Sequence, residues 1–347
     1  MPASSRGDAK LRQQFPSSAV NPQRDMPVTN IFLVTERASR RRPVGPAAFR
    51  LIGVLCGLFA LSEVQSVRGR SSSNRSPRSV SLYVSILDKK GEPVGKVSSQ
   101  DLTVLEENKP QVITALQFEK DTPVSVGVLI DVSRGMGGEG INLALSWLKT
   151  LAETLRSPDE IFVNAFSDES QEVVDYVAPE DYLGEALDHL GIGGQARMGL
   201  AVDLALIKLR DSRNKKRALI MFSAGKDIAG PATLDHISKF GFPVYSVGIP
   251  GSSGATGTLD RLKNLNLKGS ALKVYAEHSG GEALFVQSGA EAADAIARIC
   301  LQMKNQYRLD YTSASNSKPG KMLKVEVKTR NPDWDVRYLK KYPVSSR

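Results

Sequence analysis

From Val80 the chain alternates, with Val80, Leu82, Val84 and Ile86 on one face of "VSLYVSIL", the period-two mark of a half-buried strand. A turn at "KKGEPV" follows, and "DLTVLEENKPQVITALQF" predicts two more strands around a turn at residues 107–110. The pattern then changes. "VSVGVLI" is a continuous apolar run, and the segment after it sets Ile141, Leu145, Leu148, Ala152 and Leu155 on one helical face. Apolar runs "EIFVNAF", "RALIMFS", "PVYSVGI" and "ALFV" alternate with helical patterns "LAVDLALIKL", "TLDHISKF", "LKVYAEHSGG" and "AEAADAIARICLQMKNQ", while "EVVDYV" is placed to pair beside the second strand. Buried strands separated by helices of this length predict an α/β class, a doubly wound, mostly parallel sheet with helices on both faces.

Beyond Gln306 the period returns to two in "YRLDYTS", "MLKVEVKT" and "WDVRYL". The β-rich segments at residues 80–120 and 307–347 therefore flank an α/β domain at residues 121–306. Domain termini often lie close together, so the flanks are expected to meet as a small β-sandwich interrupted by the α/β domain.

Charge changes the picture only at the start. Residues 1–70 hold 11 of the 46 Lys and Arg but only 4 of the 37 Asp and Glu, so the rest of the chain is close to neutral. Within residues 1–62, "RASRRRPVGPAAFR" precedes the apolar run at residues 51–61 and the small residues Ala60 and Ser62. An apolar core of about 7–15 residues behind positive charge is the pattern of a secretory signal, and is short of the ~18 a spanning helix needs. The expectation is an exported chain, periplasmic, extracellular or held at the cell envelope, with retention of this segment as a membrane anchor as the alternative. Residues 63–79 are rich in Ser and Arg and read as a flexible linker. Only Cys56 and Cys300 occur; Cys56 lies in the leader, so a processed chain has no internal disulfide, and Cys300 falls on a buried helical stripe with Ile296, Ile299 and Met303.

Candidate chemistry gathers in "LIDVSRGMGGEGIN". Gly135, Gly137 and Gly140 have the G-x-G-x-x-G spacing of a dinucleotide cradle, which would make the chain a nucleotide-binding enzyme. The fit is poor. Four residues separate the strand from Gly135, Asp131 would face the phosphates, and the acid expected about 20 residues beyond the glycines is not clearly supplied, Asp168 being later still. A hard-metal loop fits the position better, because Asp131 and Ser133 stand at the end of a central strand and offer the oxygen ligands that Mg²⁺ takes.

Here the sequence resembles the von Willebrand factor A family, through "VGVLIDVSRGM", "GGQARMGLAVDLAL", "RALIMFSAGKD" and "VYSVGI". The flanks "DLTVLEENKPQVITALQFEKD" and "QYRLDYTS" are similar to those of a bacterial subgroup of that family. The resemblance implies a metal-ion-dependent adhesion site built from Asp-x-Ser-x-Ser, a later Thr and an Asp after the fourth strand. Asp131 and Ser133 match its first two positions, whereas Gly135 replaces the second Ser, Gln195 or Ala196 the Thr, and Ala224 the Asp of Ser-Asp-Gly. Asp227 lies three residues further on. Arg134, Arg197 and Lys226 fall on or near the surrounding loops, and their positive charge opposes a divalent cation.

The resemblance thus implies a non-catalytic protein-interaction or adhesion module with a degenerate metal site at Asp131 and Ser133. No cofactor is expected, its partner is an unknown protein, and Arg134, Gln195, Arg197 and Lys226 form the candidate interaction edge. A weak Mg²⁺ or Mn²⁺ site bridging to a partner is the alternative. Without a metal, Asp131 and Ser133 are expected to satisfy backbone donors at the start of the following helix. Enzymatic patterns are thin: Met221 stands where the first Gly of G-x-S-x-G around Ser223 belongs, and His189, His236 and His278 are scattered. The cationic run "RDSRNKKR" reads as a solvated turn, and nucleic acid is not an expected partner.

Overall fold

The computed structural model describes residues 78–345 apart from 180, 182–189, 226, 228, 250–269 and 287. The expected leader with Cys56, the linker up to residue 77, and the candidate residues His189 and Lys226 lie outside the described residues. All described residues belong to one compact unit, Ser71–Arg347.

The chain begins with β1 (Arg78–Leu87), β2 (Leu102–Glu106) and β3 (Lys109–Glu119). β2 and β3 are joined by Glu107 and Asn108, both at positive φ, the backbone that a two-residue hairpin demands. The α/β part follows as β4 (Val124–Asp131), α1 (Gly137–Thr154), β5 (Glu160–Phe166), β6 (Ser170–Val177), α2 (Met198–Arg210), β7 (Lys216–Ser223) and α3 (Pro231–Phe240). It is completed by β8 (Val244–Gly248), α4 (Ala271–Ser279), β9 (Ala283–Phe285) and α5 (Gly289–Lys304). The chain ends with β10 (Gln306–Ser313), β11 (Met322–Thr329), β12 (Asp335–Tyr338) and β13 (Lys341–Pro343).

Six strands of the α/β part form a sheet in the order β6-β5-β4-β7-β8-β9, parallel except for β6. β4 is buried at every position, as a strand covered on both faces must be. Buried residues of α1 and α5 pack on one face, with Trp147, Leu148, Ile296 and Ile299. Those of α2, α3 and α4 pack on the other, with Val202, Leu206, Ile237 and Tyr275. The doubly wound expectation holds.

The flanking strands do meet, but not as a sandwich. They hydrogen-bond into one antiparallel seven-stranded sheet, β12-β1-β10-β3-β2-β11-β13. Its two edge strands, β12 and β13, are consecutive in the chain and separated only by Leu339 and Lys340, so the sheet has to curl until its edges approach. One curled sheet buries its own concave face, and no second sheet is needed to cover Val84, Val104, Leu309 and Val325. That interior also holds a carboxylate: Glu106 accepts from the hydroxyls of Tyr311 (3.0 Å), Ser313 (2.7 Å) and Tyr342. Burial, followed by hydrogen bonding and charge from Tyr342 and Glu106, raises the Tyr311 phenol well above its usual range, so it remains a donor.

Two of the features that join the curled sheet to the α/β part are a glycine and a buried lysine. Gly280 ends α4 at φ +85°, and a Cβ there would lie 2.5 Å from the Tyr338 carbonyl carbon, so only Gly permits β12 to run this close. Lys216, at the start of β7, is buried to 2% exposure, with its Nζ 3.4 Å from the Glu119 carbonyl, 3.3 Å from the Lys304 carbonyl and 3.8 Å from Glu119 Oε2. Burial outweighs the pull of Glu119 and lowers the lysine from 10.5 to about 8. The unfolded chain therefore binds this proton more tightly than the folded one, and the stability lost in holding the charge inside is recovered as pH rises from about 8 to 10.5. Lys216→Met leaves the Glu119 and Lys304 carbonyls without this donor but removes the titration, so it should lack the gain of up to about 3 kcal/mol that the wild type makes between about pH 8 and 10.5. Urea unfolding of both chains at about pH 7 and about pH 10 checks this, because the wild type should gain on the variant at the higher pH.

Candidate functional site

Along the sheet, connections from β4 and β7 leave in opposite directions, so the crevice beyond their carboxyl ends lies at the switch point where doubly wound folds bind ligands. Asp131 is the last residue of β4 and Ser223 the last of β7, and both are buried. The Ser133 N–H donates to Asp131 Oδ1 at 2.9 Å, and the Ser223 hydroxyl donates to Asp131 Oδ2 at 2.6 Å. Ser223 Oγ in turn accepts from the Gly225 N–H at 3.0 Å. Both oxygens of the one carboxylate at this strand end are thus tied to protein donors.

Asp131 does not cap α1. Its reach ends at Ser133, two residues on, as in an Asx-turn, and α1 begins after Met136 with no side-chain cap. The glycine triplet divides between different tasks: Gly135 lies in the loop, Gly137 opens α1 at φ +60°, and Gly140 is buried against Met136 and Ile249. A pyrophosphate approaching this turn would meet the Asp131 carboxylate at the strand end.

Backbone bonds draw three loops together. The Gly193 N–H donates to the Val132 carbonyl (2.9 Å), the Arg134 N–H to the Gly194 carbonyl (3.3 Å), and the Arg197 N–H to the Ser167 carbonyl (3.0 Å). Gly194 sits at φ +69°, where a Cβ would collide with the Asp168 carboxylate, which accepts from the Gln195 N–H at 3.1 Å. Asp227 accepts from the Met198 N–H at 2.8 Å, placing an anion at the N-terminus of α2, where the helix dipole favours one. The side chains of Arg134, Gln195 and Arg197 are exposed on this joined rim. Asp168 and Asp227 are the residues whose part the sequence reading missed; each lies just past a strand end, as a loop-holding acceptor should.

A divalent cation of the adhesion-site type needs several oxygen donors converging. Here Gly135 supplies none, the Ala224 methyl is buried among apolar side chains, Gln195 is exposed with its backbone bonded to Asp168, and Asp131 is engaged by Ser133 and Ser223. The donor set does not fit a tight metal centre, and among the described residues no group of three or more His, Cys, Asp and Glu could hold an ion. The other titratable candidates lie in packing roles. His236 Nδ1 pairs with Asp203 at 3.0 Å, and His278 Nε2 meets Ser238 Oγ at 2.7 Å, with burial lowering the His278 imidazole. Burial pushes the Cys300 thiol up to about 12, so it is no nucleophile.

No curated protein matches the sequence. Among solved structures, the chain is similar to a von Willebrand factor type A protein from Catenulispora acidiphila, 13% identical over 79% of this chain and 74% of that one, with a TM-score of 0.42. It is also similar to an aerotolerance-related membrane protein from Bacteroides fragilis, 19% identical over 52% of this chain and 98% of that one, with a TM-score of 0.41. The conserved hypothetical protein BatB from Bacteroides thetaiotaomicron is 18% identical over 52% and 98%, with a TM-score of 0.42. The family model for the von Willebrand factor type A domain matches residues 125–287. The six-stranded, doubly wound part of this chain is therefore a von Willebrand factor type A domain.

Proposed function

We propose that this chain is an exported, non-catalytic module that binds a protein partner without a bridging metal, through the loops at the carboxyl end of its parallel sheet. One observation carries the reading. Arg134 on one loop and Gln195 and Arg197 on a second are exposed, these loops and that of Ser167 being fastened to one another by backbone bonds, while the Asp131 carboxylate is spent internally on Ser133 and Ser223. A rim held this way loses little freedom on binding, and exposed Arg and Gln provide forked donors and an amide for a partner's carboxylates and carbonyls. Lys226, from the same edge, is part of the proposal by its place in the sequence. So is export, which rests on the leader pattern of residues 1–62.

Capture from the native envelope tests this, with the wild-type chain and an Arg134→Ala/Gln195→Ala/Arg197→Ala variant as bait. The same partner should be retained with chelator present and fall at least about tenfold with the variant, as loss of several interface contacts at over 1 kcal/mol each would give. Retention that requires Mg²⁺ or Mn²⁺ and vanishes on chelation would replace this reading by the metal-bridged one.

A further inference from the structure

Helix α2 is apolar on both sides. Its inner face buries Met198, Ala201, Val202, Ala205, Leu206 and Leu209 against the sheet. Its outer face, where a surface helix ordinarily carries charge, presents Leu200 at 45%, Leu204 at 43% and Ile207 at 46% exposure. Extended by one position at each end, the same line runs Arg197, Leu200, Leu204, Ile207, Asp211, alternating three- and four-residue steps as a helix–helix seam does. Arg197 and Asp211 are the N-cap and C-cap residues of α2, and both are exposed.

The two ends of the line are equidistant from its middle. Leu204 lies seven residues from Arg197 and seven from Asp211, about 10 Å along the axis in each direction. A two-fold axis through Leu204 therefore sets Leu204 against its own copy, Leu200 beside Ile207 of the other helix, and Arg197 opposite the other Asp211. Arg197 has no ion-pair partner among the described residues, and the Asp211 carboxylate is held in place by Arg210 through bonds of 2.9 and 3.0 Å with its second lone pairs open. Opposite charges at the two ends of one apolar stripe match only when two such helices run antiparallel; a parallel pair would bring like charges together.

We propose that α2 is a self-association surface, pairing two copies of this chain antiparallel about Leu204. Three aliphatic side chains per copy make a small contact, so the dimer is weak and concentration-dependent, of the transient class. It shares Arg197 with the proposed rim but does not depend on that reading, since its centre is Leu204 and not the loops.

Site-directed cross-linking in the full chain tests it. In a Cys56→Ala background, with Cys300 buried and unreactive, Leu204→Cys should form a disulfide-linked dimer on mild oxidation. Val112→Cys, at a position 73% exposed on β3, should not. Sedimentation of the full chain supplies the second arm. Arg197→Asp or Asp211→Arg alone should each weaken dimerisation by about 2- to 10-fold, two ion pairs being exchanged for two repulsions, and the double exchange should restore it. Leu204→Lys should leave a folded monomer. A Leu204→Cys dimer no more abundant than that of Val112→Cys, or a double exchange that stays as weak as the single variants, overturns the proposal. Failure of the wild type to capture any partner, with dimerisation intact, would count against the rim alone.

Discussion

Replacing Asp131 with alanine is expected to lower stability by about 3–5 kcal/mol, because two hydrogen bonds to a buried carboxylate are lost together and each is worth roughly 1.5–3. The Ser133 N–H and the Ser223 hydroxyl would both remain inside without a partner, and Ser223 also anchors Gly225 at the end of β7. A carboxylate kept for a metal behaves in the opposite way: in the metal-free protein it is an uncompensated charge, and removing it costs little or even stabilises. Urea unfolding of wild type, Asp131→Ala and Asp131→Asn in chelator separates the two cases. Asparagine keeps one carbonyl acceptor, so its loss should fall between the other two. A variant within about 1 kcal/mol of wild type would mean that the carboxylate is poised for a ligand and that its bonds to Ser133 and Ser223 are incidental.

This internal use of Asp131 was not legible in the sequence. Its key bond, to Ser223, joins residues 92 positions apart, and which hydroxyl reaches which carboxylate depends on the register of β4 against β7. What the sequence displayed was the substitution pattern, Gly135, Gln195 and Ala224, which removes oxygens without saying what the remaining ones do. The elements themselves were plain wherever a pattern ran long enough: the mostly apolar, buried runs of β4, β5 and β7, and the helical faces of α1 and α5, follow directly from burial on two sides or one. β13 was missed because three residues including a Pro carry no period, and its evidence is tertiary, Tyr342 packing beside Glu106. The curl of the flanking sheet was missed for a related reason. It is imposed by the two-residue link between β12 and β13, while strand alternation is the same in a sandwich and in a curled sheet. Glu106, by contrast, was readable: in "LTVLE" it shares its face with Leu102 and Val104, so period two puts a carboxylate inside and demands hydroxyl donors for it.

Glu282→Ala is the other substitution expected to cost much, about 2–4 kcal/mol, somewhat below the range for breaking a fully buried charge cluster because Arg298 is 36% exposed. Glu282 sits between α4 and β9 and binds partners from two other elements. Its Oε1 accepts from Arg298 of α5 at 2.6 Å and Arg337 of β12 at 3.0 Å, and its Oε2 from Gln302 at 2.8 Å, with Arg337 Nη1 also at 2.6 Å. Removing it leaves two guanidinium groups facing each other across the seam between the type A domain and the curled sheet. They are not equally orphaned. Arg337 keeps Asp335 at 2.7 Å, so the larger loss falls on Arg298, and Arg298→Met in the Glu282→Ala background should recover part of the stability. Screening by salt should do little for the wild-type cluster, because its carboxylate is only 10% exposed, and more for the variant, whose bare cations can draw in chloride. The two tryptophans make the seam itself observable: Trp147 lies in α1 and Trp334 immediately precedes β12. In wild type, single-tryptophan chains should report one coincident urea transition; in Glu282→Ala the Trp334 transition should move to lower urea than that of Trp147. If both probes shift together, the cluster stabilises the fold as a whole, and other contacts, such as Lys340 N–H to the His278 carbonyl at 3.1 Å, suffice to hold the curled sheet against the domain.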